Sequence, residues 1–274
     1  MTVRAWMLVL VACASVTGGC GAYRAEADRF VNLTDGRGYD RGLVVCLGGA
    51  GGVTGEAGRI ARGLLDGGVQ CAIEEFQWSS GFVLADQADV TANRHKAAAL
   101  AGRLARYMDE HPDCPVHLVG VSAGTGLVVW AAEDLPADRR VENVFLVASS
   151  LSSRYDLGPA LKKVSGQLCS YYSGSDLVLG LLVPLTGAVD QQSGLAGGLR
   201  GFQPPTGADA SARSLYARRL VQVGWTSADA AYGHIGDHLG GTQPAFVRQY
   251  LAALAWSRSA EAVAEDEYRS ANGG

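Results

Sequence analysis

The sequence feature that most constrains the fold is the segment at residues 118–124, where an apolar run leads into the pattern Gly-x-Ser-x-Gly. Residues 116–119 predict a buried strand and residues 125–133 predict the helix that follows it. The turn between them is tight, and its two glycines permit close approach of the backbone. Such a turn projects the hydroxyl of Ser122 above the carboxyl edge of a parallel sheet, with the amide of Ala123 beside it. Ser122 is therefore a candidate nucleophile, and the alternative is a solvated serine in a tight turn.

Six apolar segments of strand length alternate with helical patterns along the chain. They lie at residues 42–47, 69–74, 116–119, 141–147, 167–172 and 220–225. Near-continuous apolar runs of this kind are typical of strands covered on both faces. Between them, residues 86–108 predict one long amphipathic helix. The alternation of strands with helices predicts an α/β fold with a mostly parallel, doubly wound sheet and helices on both faces. In such a sheet, reactive groups lie at the carboxyl ends of the strands.

Length and charge limit the domain organisation and the partners. The 274 residues suit one α/β domain with a buried core, and the net charge of −4 comes from scattered charges, which argues against a nucleic-acid partner. We expect a signal peptide at 1–20, a tether or first strands at 21–41, the α/β domain at 42–257 with an insertion or lid at 177–211, and a disordered tail at 258–274.

The N-terminal segment has the pattern of an export signal. Arg4 precedes an uncharged apolar run at residues 5–16, and small residues at 17–19 precede Cys20. The run is too short for a membrane span, and the small residues before Cys20 resemble a bacterial lipoprotein signal, in which the cysteine is lipidated. We therefore expect an exported protein, periplasmic or anchored to the membrane through Cys20. Cleavage without lipidation, cleavage before Cys13, and an uncleaved anchor are the alternatives.

A glycine-rich loop at residues 48–55 follows the first buried strand. It could cradle a phosphate at a helix N-terminus, but the Lys-Ser/Thr of a P-loop is missing and the spacing is not G-x-G-x-x-G. Its alternative role is to supply a second oxyanion amide, from Ala50 or Gly51. The four cysteines after Cys20 form no C-x-x-C pair and predict no pairing. The sequence thus predicts no cofactor and no metal ion.

The candidate acid and base follow later strands. Asp176 comes directly after the strand at 167–172, where its alternative role is to shape the turn, and Asp156 is the competing acid. His234 and His238 follow the last strand. A metal site on His234, Asp237 and His238 ranks low because glycines at 233 and 236 disfavour a helix. The other histidines, on a predicted helix surface, in a loop and in a strand, are not candidates: His95, His111 and His117.

The order Ser122, Asp176, His234 or His238, each in a loop after a strand, resembles the α/β-hydrolase superfamily over residues 40–257. The resemblance implies about eight mostly parallel strands and a serine hydrolase of esterase or lipase type. It also implies a Ser-His-Asp triad, with Ala123 and Ala50 or Gly51 as oxyanion donors. We expect His234 to be the base, because Gly-His-Ile is similar to the histidine loop of polyhydroxyalkanoate synthases and depolymerases, with His238 as the alternative.

The expected substrate is a small-molecule or lipid-like ester, cleaved through an acyl-enzyme intermediate. The apolar stretch after Asp176 favours medium acyl chains. Contact with a membrane is expected only through the N-terminal lipid anchor. The alternatives are an acyltransferase or peptidase with the same triad, and a non-catalytic exported lipoprotein that uses a hydrolase fold as a binding module.

Overall fold

A seven-stranded sheet organises the part of the chain that the computed structural model describes, residues 29–52 and 54–255. The strands are β1 (Arg29–Asn32), β2 (Leu43–Leu47), β3 (Ala72–Gln77), β4 (Val116–Val121), β5 (Asn143–Val147), β6 (Leu168–Tyr172) and β7 (Leu220–Gly224). Their order in the sheet is β1-β3-β2-β4-β5-β6-β7. Strands β2 to β7 are parallel, and β1 pairs antiparallel with β3 at the edge.

Helices cover both faces of this sheet. They are α1 (Glu56–Asp66), α2 (Val83–Ala88), α3 (Val90–Glu110), α4 (Gly124–Glu133), α5 (Gly158–Leu161), α6 (Leu177–Thr186), α7 (Gly197–Arg200), α8 (Ala210–Arg219) and α9 (Pro244–Val247). Short 3-10 helices lie at Ser227–Tyr232 and Gly240–Thr242, and a π-helical turn, Arg248–Ala252, continues α9. In the described ranges, no helix is long and apolar enough to cross a bilayer.

The core consists of two layers because successive residues of each strand face opposite sides. In β2, Leu43 and Val45 pack with α3 and α4, whereas Val44 and Cys46 pack with α1 and α9. Every residue of β2, β4 and β5 is buried. This double coverage explains why the central strands are mostly apolar, with His117 in β4 and Asn143 in β5 as buried polar exceptions. It also confirms the predicted α/β class with a mostly parallel sheet.

The structure corrects several predicted boundaries. Strand β3 begins at Ala72 rather than at residue 69, and the helix expected over 86–108 is two helices separated at Asp89, whose side chain accepts a hydrogen bond from the Ala92 amide at the start of α3. The described residues form seven strands, not about eight. The predicted signal peptide, Cys20 and the tail lie outside the described residues.

The four cysteines in the described chain are unpaired. Cys46 and Cys169 lie inside strands, and burial raises the pKa of the Cys169 thiol to about 12. Burial also raises the pKa of Cys71 to about 11. These thiols stay protonated at neutral pH and pack as small apolar groups.

Candidate active site

The turn between β4 and α4 holds Ser122 in a strained conformation. Its φ is 52°, in the left-handed region that residues with a Cβ rarely adopt. The Ser122 amide donates to the Val147 carbonyl (3.0 Å), and the Ser122 carbonyl accepts from the Thr125 and Ser150 amides (3.1 and 3.2 Å). These bonds fasten the turn to the carboxyl end of the neighbouring strand β5. The strain is therefore maintained by surrounding structure, as expected of a nucleophile turn.

Both glycines of the pattern are required by close contacts. A Cβ at Gly120 would lie 2.8 Å from the Gly124 carbonyl oxygen, and one at Gly124 would lie 2.4 Å from the Gly48 carbonyl oxygen. A Cβ at Gly49 would lie 3.2 Å from the Ser122 Cβ. The glycine-rich loop after β2 thus packs directly against the turn that carries Ser122.

Asp176 performs two tasks at the start of α6. Its Oδ1 accepts a hydrogen bond from the Leu179 amide (3.0 Å) and caps the helix, which is the turn-shaping role considered as the alternative. Its Oδ2 lies 2.7 Å from Nδ1 of His238. Asp176 is also 2% exposed. The carboxylate is therefore fixed by the helix cap and directed at one imidazole.

The expected pairing of Asp176 with His234 is wrong, because the partner of Asp176 is His238, the alternative. The His238 bond uses Nδ1, which leaves Nε2 available to another group. The Ser173 hydroxyl donates to the Gly236 carbonyl (2.8 Å), which ties the loop of the acid to the loop of the histidines. The two loops are thus joined close to the bond between Asp176 and His238.

His234 is instead packed into the loop. Its Nδ1 accepts from the Gly236 amide (3.2 Å), its carbonyl accepts from the Trp225 indole (2.8 Å), and its ring meets the Phe246 ring edge-on at 5.0 Å. A Cβ at Gly240 would lie 2.0 Å from the His234 Nδ1. Burial lowers the pKa of His234, although nearby Asp237 opposes this. These contacts favour a neutral ring that supports the loop.

Two buried carboxylates fix alternate amides of the glycine-rich loop. Glu56 Oε2 accepts from the Gly49 amide and Asp86 Oδ2 accepts from the Gly51 amide, each at 3.0 Å. Asp86 also accepts from the Ser79 hydroxyl and from the amide and hydroxyl of Ser80. The expectation that Gly51 offers a free oxyanion amide is therefore wrong, because Asp86 occupies that donor.

Ala50 and Ala123 remain as the candidate oxyanion donors. Within the described residues, neither of their amides donates a hydrogen bond. Ala123 directly follows Ser122 and is the N-cap residue of α4, where helix amides lack intrahelical acceptors. A cavity of about 460 Å³ adjoins the loop, lined by Gly49, Trp78 and Ser80 among others.

Sequence reasoning missed Glu56 and Asp86. Asp86 was predicted only as the first residue of one long amphipathic helix, whereas in the structure it is buried on α2, before the break at Asp89. The acid at the first helical position after a glycine loop was the available indication for Glu56.

The remaining candidates lie elsewhere. Asp156 accepts hydrogen bonds from the Gly158 amide (2.8 Å) and the Tyr216 hydroxyl (3.0 Å). Neither of these bonds involves His234 or His238. His111 stacks on Tyr107, and His117 is buried in β4. Among the residues described, no group of three His, Cys, Asp or Glu side chains is arranged to hold a metal ion. Within residues 29–52 and 54–255, no hydrogen bond joins Ser122 Oγ to an imidazole.

No model of a known protein family matches the sequence, and no curated protein is significantly similar to it. Solved structures do match. Lipase B of Aspergillus fumigatus superposes with a TM-score of 0.51 at 13% identity, covering 88% of this chain and 62% of the lipase. The chain thus spans less than two thirds of that protein.

Two further structures align with lower TM-scores. The poly(3-hydroxybutyrate) depolymerase LpqC of Bordetella parapertussis gives 0.48 at 15% identity, over 81% of this chain and 80% of the depolymerase. A carboxylesterase of Mesorhizobium loti gives 0.45 at 16% identity, over 82% and 95%. Sequence identities this low can support a shared fold, but not a shared activity. Together with the sheet order and the Ser122 turn, the superposition on lipase B shows that the described chain has the α/β-hydrolase fold.

Proposed function

We propose that this protein is a serine hydrolase that cleaves carboxylic esters through an acyl-enzyme intermediate. Ser122 is the nucleophile, His238 the general base and Asp176 the acid that orients it. The observation that carries the proposal is the 2.7 Å bond between Asp176 Oδ2 and His238 Nδ1, at the sheet edge where Ser122 is held at positive φ. An imidazole held at Nδ1 by a buried carboxylate has its Nε2 free for a hydroxyl proton.

The reaction proceeds in two halves. His238 Nε2 takes the Ser122 proton as Oγ attacks the ester carbonyl carbon, and the same proton passes to the leaving alkoxide when the tetrahedral intermediate collapses. Water, activated by His238, then attacks the acyl-enzyme and releases the acid with Ser122 regenerated. The amides of Ala50 and Ala123 bind the oxyanion in both halves. We expect the hydrogen bond between Ser122 Oγ and His238 Nε2 to form when substrate binds, because catalytic hydrogen bonds are often long or poorly aligned without substrate.

Glu56 and Asp86 support this oxyanion site by holding the amides on either side of Ala50. A donor fixed in advance stabilises the developing charge without reorganising during the reaction. The cavity beside the loop offers room for one portion of the ester. We expect medium acyl chains, with rates that rise from acetyl to octanoyl esters; a steady fall over that series would contradict this expectation.

The test is hydrolysis of chromogenic esters by the purified chain. Wild type is expected to release the alcohol, Ser122→Ala to lose nearly all activity, and the matched control Ser193→Ala, an exposed serine, to retain it. Peptide anilides and added alcohol acceptors distinguish a peptidase or an acyltransferase. Inertness of the folded wild type towards every ester would contradict the proposal and favour a binding module.

We also propose that the protein is exported and anchored through a lipid on Cys20. The support is the sequence of residues 1–20, a cationic start, an apolar run and small residues before the cysteine. Radiolabelled fatty acid is expected to label the wild type and not Cys20→Ala. Equal labelling of both chains, or none of either, would contradict lipidation at this residue.

A further inference from the structure

The exposed large apolar side chains gather at the carboxyl edge of the sheet. In the described ranges, all of them except Leu65 and Leu195 lie on α2 and the residue before it, on α6, or in the histidine loop. We call this set the apolar rim: Phe82, Val83, Leu84, Leu177, Val178, Leu181, Leu185 and Ile235. Leu185 is 84% exposed, Leu177 74% and Ile235 70%. A contiguous exposed apolar surface marks an interaction site rather than ordinary surface.

Helix α2 has the opposite polarity pattern to a helix on a water-facing surface. Its polar residues Asp86 and Gln87 are buried, whereas Val83 and Leu84 point outward, together with Phe82 at the N-cap. A surface helix normally buries its apolar stripe and exposes its polar face. The arrangement indicates that the outer face of α2 meets an apolar environment.

Helix α6 is apolar on both faces and carries no charged residue. Leu179 and Val183 pack into the core, while Leu177, Leu181 and Leu185, at helical spacing, form the opposite, exposed face. Two apolar faces exceed what packing on the sheet requires. The outer face therefore has no partner within the described chain.

The segments of the rim adjoin one another around the candidate site. Gln87 on α2 donates to the Gly187 carbonyl at the end of α6, and Asp176 at the start of α6 bonds to His238. Residues 78–85, 177–189 and 232–236 contain no Asp, Glu, Lys or Arg. The three segments that carry the rim are thus uncharged, and the half-exposed Asp237 directly follows the last of them. A surface without cationic residues suits lipid acyl chains rather than anionic headgroups.

Strand β1 begins beside the carboxyl ends of the parallel strands, on the side of the sheet that carries the rim. Strand β1 runs antiparallel to β3, and Arg29 pairs with Gln77, the last residue of β3. The segment between Cys20 and Arg29 spans at most about 30 Å when fully extended. A lipid at Cys20 therefore tethers the domain by the edge that carries the apolar rim.

We propose that the apolar rim docks on the lipid bilayer, so that the site at Ser122 faces the membrane surface. The docking itself does not depend on the proposed function. Its consequence does: if the protein hydrolyses esters, its substrates are esters carried in lipid. Because the rim is uncharged, docking occurs on zwitterionic bilayers and depends little on salt. It adds a protein surface to the anchor expected at the N-terminus.

The experiment places a polarity-sensitive fluorophore on the full chain, bound to phosphatidylcholine vesicles with and without lipids spin-labelled in the upper acyl chain. The background carries Ser122→Ala and Cys114→Ser. In it, Leu181→Cys places the probe on the rim, and Leu65→Cys places it at an exposed position of α1 as the matched control. Apolar faces of interfacial helices lie about 5–10 Å below the headgroups. The probe at 181 is expected to shift to the blue and to be quenched several-fold more than the probe at 65.

A second pair of substitutions separates docking of the rim from binding through the anchor. Val178→Asp with Leu185→Asp, both at exposed positions, is expected to abolish quenching at 181 while the anchor keeps the chain on the vesicle. Equal, weak quenching at 181 and 65 would overturn docking. So would a blue shift at 181 that needs no vesicles and grows with protein concentration, because it would assign the rim to a second copy. None of these readouts requires ester hydrolysis, so they fail or succeed separately from the proposed function.

Discussion

The turn that carries Ser122 and the loop that carries His234 and His238 reach the same sheet edge by different means. The Ser122 turn is determined largely by its own sequence. Gly120 and Gly124 have no room for a side chain, because an added Cβ would lie 2.8 Å from the Gly124 carbonyl oxygen and 2.4 Å from the Gly48 carbonyl oxygen, respectively. The apolar strand before the turn fixes where it lies. The histidine loop is determined from a distance, by Asp176, Ser173 and Trp225. Local sequence thus identifies a candidate nucleophile, whereas the choice between the two candidate bases depends on tertiary partners.

The difference explains why the similarity of Gly-His-Ile pointed to the wrong partner for Asp176. Gly233 and Gly236, with φ of 81° and 89°, turn the chain twice around His234, and the Trp225 indole holds its carbonyl. Those turns direct His234 inward against Phe246. His238, beyond the second turn, is left facing the carboxylate.

The largest expected effect separates the two histidines. His238→Ala is expected to lower kcat on a chromogenic ester by about 10⁴-fold or more, because it removes the proton acceptor. His234→Ala is expected to lower kcat far less, since it loosens the loop without removing a proton carrier. Steady-state kinetics with both variants makes the comparison, and a reversed order would return the role of base to His234.

Asp176→Asn is expected to lower kcat by about 10⁴-fold while stability changes little. The amide still caps α6, but it no longer holds the imidazole in the required tautomer. Asp209→Asn, at the N-cap of α8, is the matched control and should leave kcat unchanged. Equal kinetics for the two variants would show that Asp176 acts only as a helix cap.

Asp86→Asn extends the comparison to the glycine-rich loop. The variant has one acceptor oxygen where the carboxylate has two, so the Gly51 amide and the Ser79 and Ser80 groups cannot all be retained. We expect kcat to fall by about a hundredfold with KM nearly constant, because an oxyanion donor acts in the transition state. Asp89→Asn, an N-cap in the same region, is the control. A rise in KM alone would contradict the assignment.

The smallest effect concerns stability and pH. Burial lowers the pKa of His117 to about 4, below its ordinary 6.5. As pH falls, His117 is therefore protonated in the unfolded chain before it is protonated in the folded chain. Its contribution to stability is fully present above about pH 6.5 and is lost as pH falls towards 4. His117 contributes about 2 kcal/mol of this loss by pH 5. Urea unfolding at pH 7 and 5 should show a smaller loss in His117→Leu than in wild type or His95→Gln; identical losses would contradict the inference.

The sequence predicted the parallel sheet, the Ser122 turn and the position of Asp176 because each depends on a local pattern. Apolar runs mark strands buried on both faces, and a carboxylate after a strand lies at the reactive edge. It did not predict the break at Asp89, since the amphipathic pattern continues across it. Nor did it predict that Asp86 occupies the Gly51 amide, because that bond joins residues brought together only by the fold.

The most direct test of the account is labelling by a fluorophosphonate, with the adduct mapped by mass spectrometry. Wild type and His234→Ala are expected to form the adduct on Ser122, while His238→Ala labels slowly or not at all and Ser122→Ala does not label. Such a result would establish a serine activated through His238. Full labelling of His238→Ala, or no adduct on the folded wild type, would contradict the central claim.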